Sequence, residues 1–327
     1  MRIILGLLMV LLCWAMNAQQ LPQYKQINHC PALYNPAAMS WDKQASVSMV
    51  GRWQFFGFGY EPRTVAFVGQ TMLKKKVRTV FNPGSRIQRD FTPEEKKRNL
   101  IWQHYAGGQV ISDNYGAFKY LEVNANYACA VPLGSQWKAS GGIRIGLRNN
   151  AFNANQGVVL NVSDQQLPYV GGDEVYDEYL SKNYGTLSPS AALGLSLSTK
   201  KLNLSTALSH GGIPNAFKQQ TSFFDAQWHW NTMVGYTFTV ASGLDIRPLL
   251  VVKKMSVAPL SVELNAIATI NYIFWGGLTY QHNASAGIIA GMEVSDNLKI
   301  GYAFDFSTNA LNRFSNGGHE IYLSYGF

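Results

Sequence analysis

"IGYAFDF" (residues 300–306) and "IYLSYGF" (residues 321–327) place apolar or aromatic residues at alternate positions. Successive side chains of an extended strand point to opposite faces. Ile321, Leu323, Tyr325 and Phe327 therefore share one face, and Glu320, Tyr322, Ser324 and Gly326 share the other. One face is apolar and aromatic, and its opposite is polar or small. A soluble sandwich would turn the apolar face to a core, whereas an outer-membrane barrel would turn it to lipid. The rest of the chain separates the two.

Charged residues make up 14% of the 327 positions and aromatic residues 13%. Soluble domains carry about 25% charge, so this surface expects a partner other than water. Mean hydropathy is nevertheless near zero, at −0.07, far from a bundle of membrane helices. Strands that are apolar on one side only reconcile these values. Arg2, the apolar run Ile3 to Trp14, and the small residues Ala15 and Ala18 read as a secretory signal peptide over residues 1–18. No later stretch approaches the ~20 apolar residues of a membrane helix, so a chain that spans a membrane must do so as a closed barrel.

Period-two runs recur from residue 46 onward. They centre near residues 50, 67, 106, 124, 143, 193, 205, 234, 249, 266, 278, 289, 302 and 323. The expected fold is all-β, a transmembrane antiparallel barrel of about 14 strands over residues 46–327. Residues 19–45, including "QYKQINHCPALYNPAAMS" (23–40), lack alternation and are expected to form an N-terminal plug segment in the lumen or periplasm. With both termini periplasmic, the inside turns are short ("PLGSQ", "TKKL", "ASGLD", "NYI", "SDN") and the outside includes long 148–187, 210–227 and 307–318.

Residues 73–99 break that asymmetry by placing a long connection on the periplasmic side. Nine basic residues against three acidic give it +6 of the mature chain's +7. Thr92-Pro93-Glu94-Glu95 predicts a short helix from about Pro93 to Arg98, by an N-cap, a first-turn proline and a capping-box glutamate. Lys74, Lys75, Lys76, Arg78, Lys96, Lys97 and Arg98 are the expected contacts for an acidic periplasmic partner.

Inward positions contribute Arg52, Arg144, Arg247, Lys253 and Lys299 against Glu122, Asp245, Glu263, Glu293 and Asp305. That even balance suggests paired charges in a filled lumen, and ordinary luminal solvation is an equally simple account of it. After signal removal Cys30 and Cys129 remain, and both read as unpaired, with Cys129 on the lipid face. The six histidines form no metal-ligand spacing, and Ser209-His210 fall on opposite strand faces. No catalytic, metal or cofactor-binding residue is expected, nor a nucleic-acid partner. Gly171 to Glu178 read as a solvated acidic loop.

Several segments, in order, resemble the PorP/SprF family of type IX secretion membrane proteins of Bacteroidetes. They are "YNPAAMS" (34–40), "GRWQFFGFGYEPRTVAF" (51–67), "IRPLLVVKKMSVAPLSVELNA" (246–266), "VSDNLKIGYAFDFST" (294–308) and the ending "GGHEIYLSYGF". Asn35, Pro36, Arg52, Gln54, Pro62, His319, Glu320 and Phe327 carry the family motifs. Ala38, Met39, Phe55 and Gly326 depart from the usual residues, and the 73–99 connection is longer than the family's turn. The resemblance implies a non-enzymatic protein of the cell outer membrane, needing no cofactor and supporting secretion or surface attachment of secreted proteins. Its implied partners are outer-membrane lipid, periplasmic type IX secretion components, and a secreted adhesin or its C-terminal domain. A transport barrel for small or hydrophobic solutes is the alternative.

Overall fold

The computed structural model describes residues 23–42, 45–57, 61–73, 102–134, 136–153, 185–211, 228–255 and 258–327. The expected signal peptide, nearly all of the basic connection and the acidic loop lie outside the described residues.

The strands are β1 (Ser46–Trp53), β2 (Arg63–Leu73), β3 (Gln103–Tyr115), β4 (Phe118–Leu133) and β5 (Trp137–Phe152). They continue with β6 (Gly185–Ser198), β7 (Leu202–Gly211), β8 (Trp228–Tyr236), β9 (Phe238–Ala241) and β10 (Leu244–Met255). The last five are β11 (Ser261–Ile270), β12 (Phe274–Gln281), β13 (Ser285–Ser295), β14 (Leu298–Ser307) and β15 (Gly318–Gly326). Thr237 alone separates β8 from β9, and both pair with β10. They form one wall element, so the described ring has fourteen, and each of the fourteen expected centres falls within one.

Every neighbouring pair is antiparallel, and β1 closes on β15 from Ser46↔Gly326 to Trp53↔His319. Closure removes the sheet edges that would otherwise leave backbone groups unpaired. β1 stops at Trp53. Phe55 takes a left-handed conformation (φ 53°) as the chain turns, and Phe56 N–H donates to Gly317 O at 2.7 Å.

Burial is inverted relative to a soluble fold. Leu193 and Leu195 are each 65% exposed, while Glu320 and Asn265 are fully buried. On β4, Leu121, Val123 and Tyr127 face out and Glu122, Asn124 and Asn126 face in. An apolar exterior around a polar interior is stable only where hydrocarbon replaces water outside.

Two bands of exposed aromatics mark the rims. Trp102, Trp137, Phe274, Tyr325 and Phe327 lie where β1 begins and β15 ends, the terminal rim. Tyr115, Phe118, Trp228, Tyr280 and Phe306 lie at the far rim. Terminal-rim connections between consecutive strands span residues 134–136, 199–201, 242–243, 271–273 and 296–297. The longer gaps 153–184, 212–227 and 308–317 fall at the far rim. The chain between Leu73 and Gln103 leaves and re-enters at the terminal rim, in keeping with the expected parity.

Candidate functional site: the inner wall and the N-terminal segment

Residues 23–41 carry no strand. Two 3₁₀ turns, Pro31–Leu33 and Pro36–Trp41, each begin with proline, whose fixed φ and missing N–H suit a helix start. Tyr24, Ile27, Cys30, Ala38 and Met39 pack in one apolar cluster with inward residues of the wall, among them Tyr105, Met233, Ile267 and Tyr322. The segment therefore packs against inward-facing residues of the wall.

Its polar groups are met by the wall. Asn35 is fully buried and uses one side chain three times. Its Oδ1 accepts from Ala37 N–H at 2.9 Å, capping the second turn, and its Nδ2 donates to Leu195 O at 3.2 Å and Thr206 O at 3.0 Å. Arg144 donates Nε to Asn126 Oδ1 at 2.8 Å, Nη1 to Leu33 O at 3.1 Å, and Nη2 to Ala32 O. Asn231 donates to Tyr34 O at 3.0 Å, Ser140 to Ala37 O at 3.1 Å, and Trp41 to Ser196 Oγ at 2.7 Å. Lys138 donates to Ser40 O.

Two wall glycines make this approach possible. A Cβ built on Gly142 would lie 2.4 Å from Ala37 N, and one on Gly194 would lie 2.0 Å from Asn35 Oδ1. Neither leaves room for any side chain while the Asn-Pro-Ala backbone is seated.

At the other end of the segment lies an ionic cluster near the far rim. Glu320 accepts the N–H groups of Lys25, at 2.8 and 3.0 Å, and Gln26, at 2.7 Å. Arg52 donates Nη2 to both oxygens of Asp305, at 2.8 and 3.0 Å, and Nη1 to Glu320 at 3.4 Å. Lys25 Nζ donates to Ser285 Oγ at 2.8 Å and lies 3.9 Å from Asp305. Lys253 pairs with Glu263 at 3.0 Å and lies over the Tyr34 ring at 4.9 Å. Buried charges of this kind persist only when paired and hydrogen-bonded.

His29 packs against Trp275 and Tyr322, with ring centroids 4.6 and 5.4 Å away. Burial, with Lys299 and Arg247 nearby, lowers its imidazole to about 3. Burial likewise pushes the Cys30 thiol up to about 12. A cavity of about 40 Å³ remains among Tyr24, Leu33, Tyr34 and the wall residues Ile111, Glu122, Arg144, Arg148 and Asn231.

The structure divides the motif residues. Asn35, Arg52 and Glu320 meet the segment's seat, and Pro36 opens its second turn. The Gln54 backbone N–H donates to Pro62 O at 2.9 Å, closing the β1–β2 connection at the far rim. His319 faces outward, with Nδ1 2.6 Å from the Tyr302 hydroxyl. Phe327 is 74% exposed at the terminal rim, and its N–H donates to Ala45 O. The basic residues Lys74, Lys75, Lys76, Arg78, Lys96, Lys97 and Arg98 lie outside the described residues.

Among the expected luminal charges, Arg52 pairs with Asp305, Lys253 with Glu263, and Lys299 with Glu293. Arg144, by contrast, serves backbone carbonyls, and Glu122 pairs with Arg148 at 3.0 Å. Cys30 and Cys129 are both free, the first within the seat and the second on the outer face.

A closed antiparallel ring, apolar outside and polar within, defines a membrane β-barrel, here with the chain's own leading segment held against its inner wall. The chain belongs to the PorP/SprF family of type IX secretion system membrane proteins, whose family model matches residues 16–325. No curated protein matches it. Among solved structures, the toluene transporter TodX of P. putida is similar at 9% identity, over 90% of this chain and 94% of that one, with a TM-score of 0.45. The Ralstonia pickettii toluene transporter TbuX is similar at 11% identity, over 90% and 92%, with a TM-score of 0.45. Omp33 of Acinetobacter baumannii is similar at 7% identity, over 87% and 99%, also at 0.45. What those proteins carry does not pass to this chain.

Proposed function

We propose that this protein is a non-enzymatic outer-membrane component of the type IX secretion apparatus, acting through protein–protein contacts, with its lumen plugged by residues 23–41. The observation that carries the reading is the seat itself. Inward side chains such as Glu320, Arg144 and Asn231 bind the segment's backbone, and the segment's Asn35 donates to a wall carbonyl in return. A barrel so filled serves as a platform for secretion or surface attachment of secreted proteins. The basic insert at the terminal rim is the proposed contact for periplasmic machinery, and the far-rim loops are the proposed face toward a secreted adhesin or its C-terminal domain.

Deletion of the gene tests the role. Loss of type IX cargo from the medium or the cell surface supports it, and an unchanged secretome with unchanged adhesin display removes it. Conductance in planar bilayers tests the plug. The wild-type barrel is expected to conduct poorly, and a chain lacking residues 23–41 to conduct well. A large, stable wild-type conductance would favour solute transport instead.

A further inference from the structure

On the outer face, near the terminal rim, small side chains sit side by side. The cross-strand rows Val131–Ala139–Leu197–Leu204 and Cys129–Gly141–Leu195–Thr206 run over β4, β5, β6 and β7. Ala139 and Gly141 form the floor, and Leu195 and Leu197 form one bank. Trp102 stands at the other side, 60% exposed. The result is a concavity of about 660 Å³ in an otherwise convex wall. A Cβ on Gly141 would meet nothing within 4 Å, so no side chain of the described residues fills the hollow at that point.

The hollow opens toward the turn 199–201, which joins the strands bearing Leu197 and Leu204. That turn carries Lys200 and Lys201, both exposed, and neither makes an ion pair among the described residues. Trp137 lies at the same rim, 40% exposed. An apolar trough ends, therefore, at two cations and two indoles at the level where headgroups lie.

We propose that this hollow is a binding site for one anionic glycerophospholipid. An acyl chain lies along Ala139 and Gly141, and the phosphate is held by Lys200 and Lys201. A zwitterionic lipid fits the trough but gains less from the lysines, and a second copy of this chain would meet the same two cations with its own. Anionic lipid is the occupant that both the shape and the charge favour. The proposal is independent of whether the lumen is plugged and of the secretion role.

Native mass spectrometry of the delipidated full chain, titrated with phosphatidylglycerol or phosphatidylcholine, tests it. One phosphatidylglycerol should survive activation that strips phosphatidylcholine. Gly141→Leu fills open space, so it should leave heat-modifiable migration intact while removing the retained lipid. Lys200→Ser and Lys201→Ser should each lower the preference for phosphatidylglycerol by about fivefold and leave total lipid uptake unchanged. Ala139→Leu provides a second filling variant should Gly141→Leu fold poorly. Equal retention of both lipids, indifference to both filling variants, or a dimer mass that Gly141→Leu abolishes would each overturn the assignment.

Discussion

Asn35 is the residue on which the seat turns, because one amide serves a cap and two wall carbonyls at once. Each such bond contributes about 0.5–1.5 kcal/mol net, so Asn35→Ala should weaken seating by roughly 2–3 kcal/mol. Asn35→Asp should be at least as damaging, since it keeps the cap but sets a carboxylate against the carbonyls of Leu195 and Thr206. Protease cleavage within residues 23–41 of the folded barrel measures both; equal protection in all three proteins would refute the role. Cys30 offers a second readout. Its thiol is buried and raised to about 12, so a polar maleimide should modify it only when the segment is released. His29 adds a pH dependence. The seated imidazole titrates near 3, against an ordinary value of 6.5. Between those values a released segment binds a proton that the seated one does not. Seating is then at full strength above about 6.5 and weakens as pH falls, by about 1.4 kcal/mol per unit. His29→Gln should flatten the acid-induced rise in protease cleavage; an unchanged profile would assign it to other groups.

At the level of elements, β5 and β6 present bare backbone where the Asn-Pro-Ala turn arrives. Gly142→Leu and Gly194→Leu should therefore eject the segment and raise conductance while the barrel keeps its heat-modifiable migration; a closed, segment-protected barrel with either leucine would contradict the geometry. The strands themselves were legible because alternation is local, so all fourteen centres could be placed from the chain alone. The inner surface was legible only as a composition. Arg144 and Arg52 read alike in the sequence, yet one grips carbonyls and the other carboxylates. That choice depends on register and on which strands meet across the ring, neither of which is written locally. Lys25 was not foreseen as a luminal charge for the same reason, since it reaches Ser285 and Asp305 from outside any strand. The early signs of the seat were the even balance of inward charges and the cluster of Asn, Pro and Tyr in a stretch without alternation.

For the whole molecule, charge is the feature with the longest reach. The connection bearing +6 is tethered at the terminal rim through Leu73 and Gln103. Reversing Lys74, Lys75, Lys76, Lys96, Lys97 and Arg98 to Glu should leave the barrel folded but abolish salt-sensitive co-purification of an acidic periplasmic component. Surface labelling of the insert on intact cells would overturn that docking. The ionic cluster at Lys25 has a different consequence, for biogenesis. Arg52 belongs to the first strand and Glu320 to the last, and these two strands form the seam that closes the ring. Glu320 accepts the amides of Lys25 and Gln26 while Arg52 reaches it from across that seam. Residues 25 and 26 thus form a clasp across the closure, and an empty clasp leaves two buried carboxylates facing one guanidinium. Glu320→Gln should slow conversion to the compact, heat-resistant form more than it lowers the final yield, as pulse-chase gel migration would record. A barrel whose first and last strands both meet residues 25 and 26 through one buried ionic cluster carries a check on its own completion within the wall.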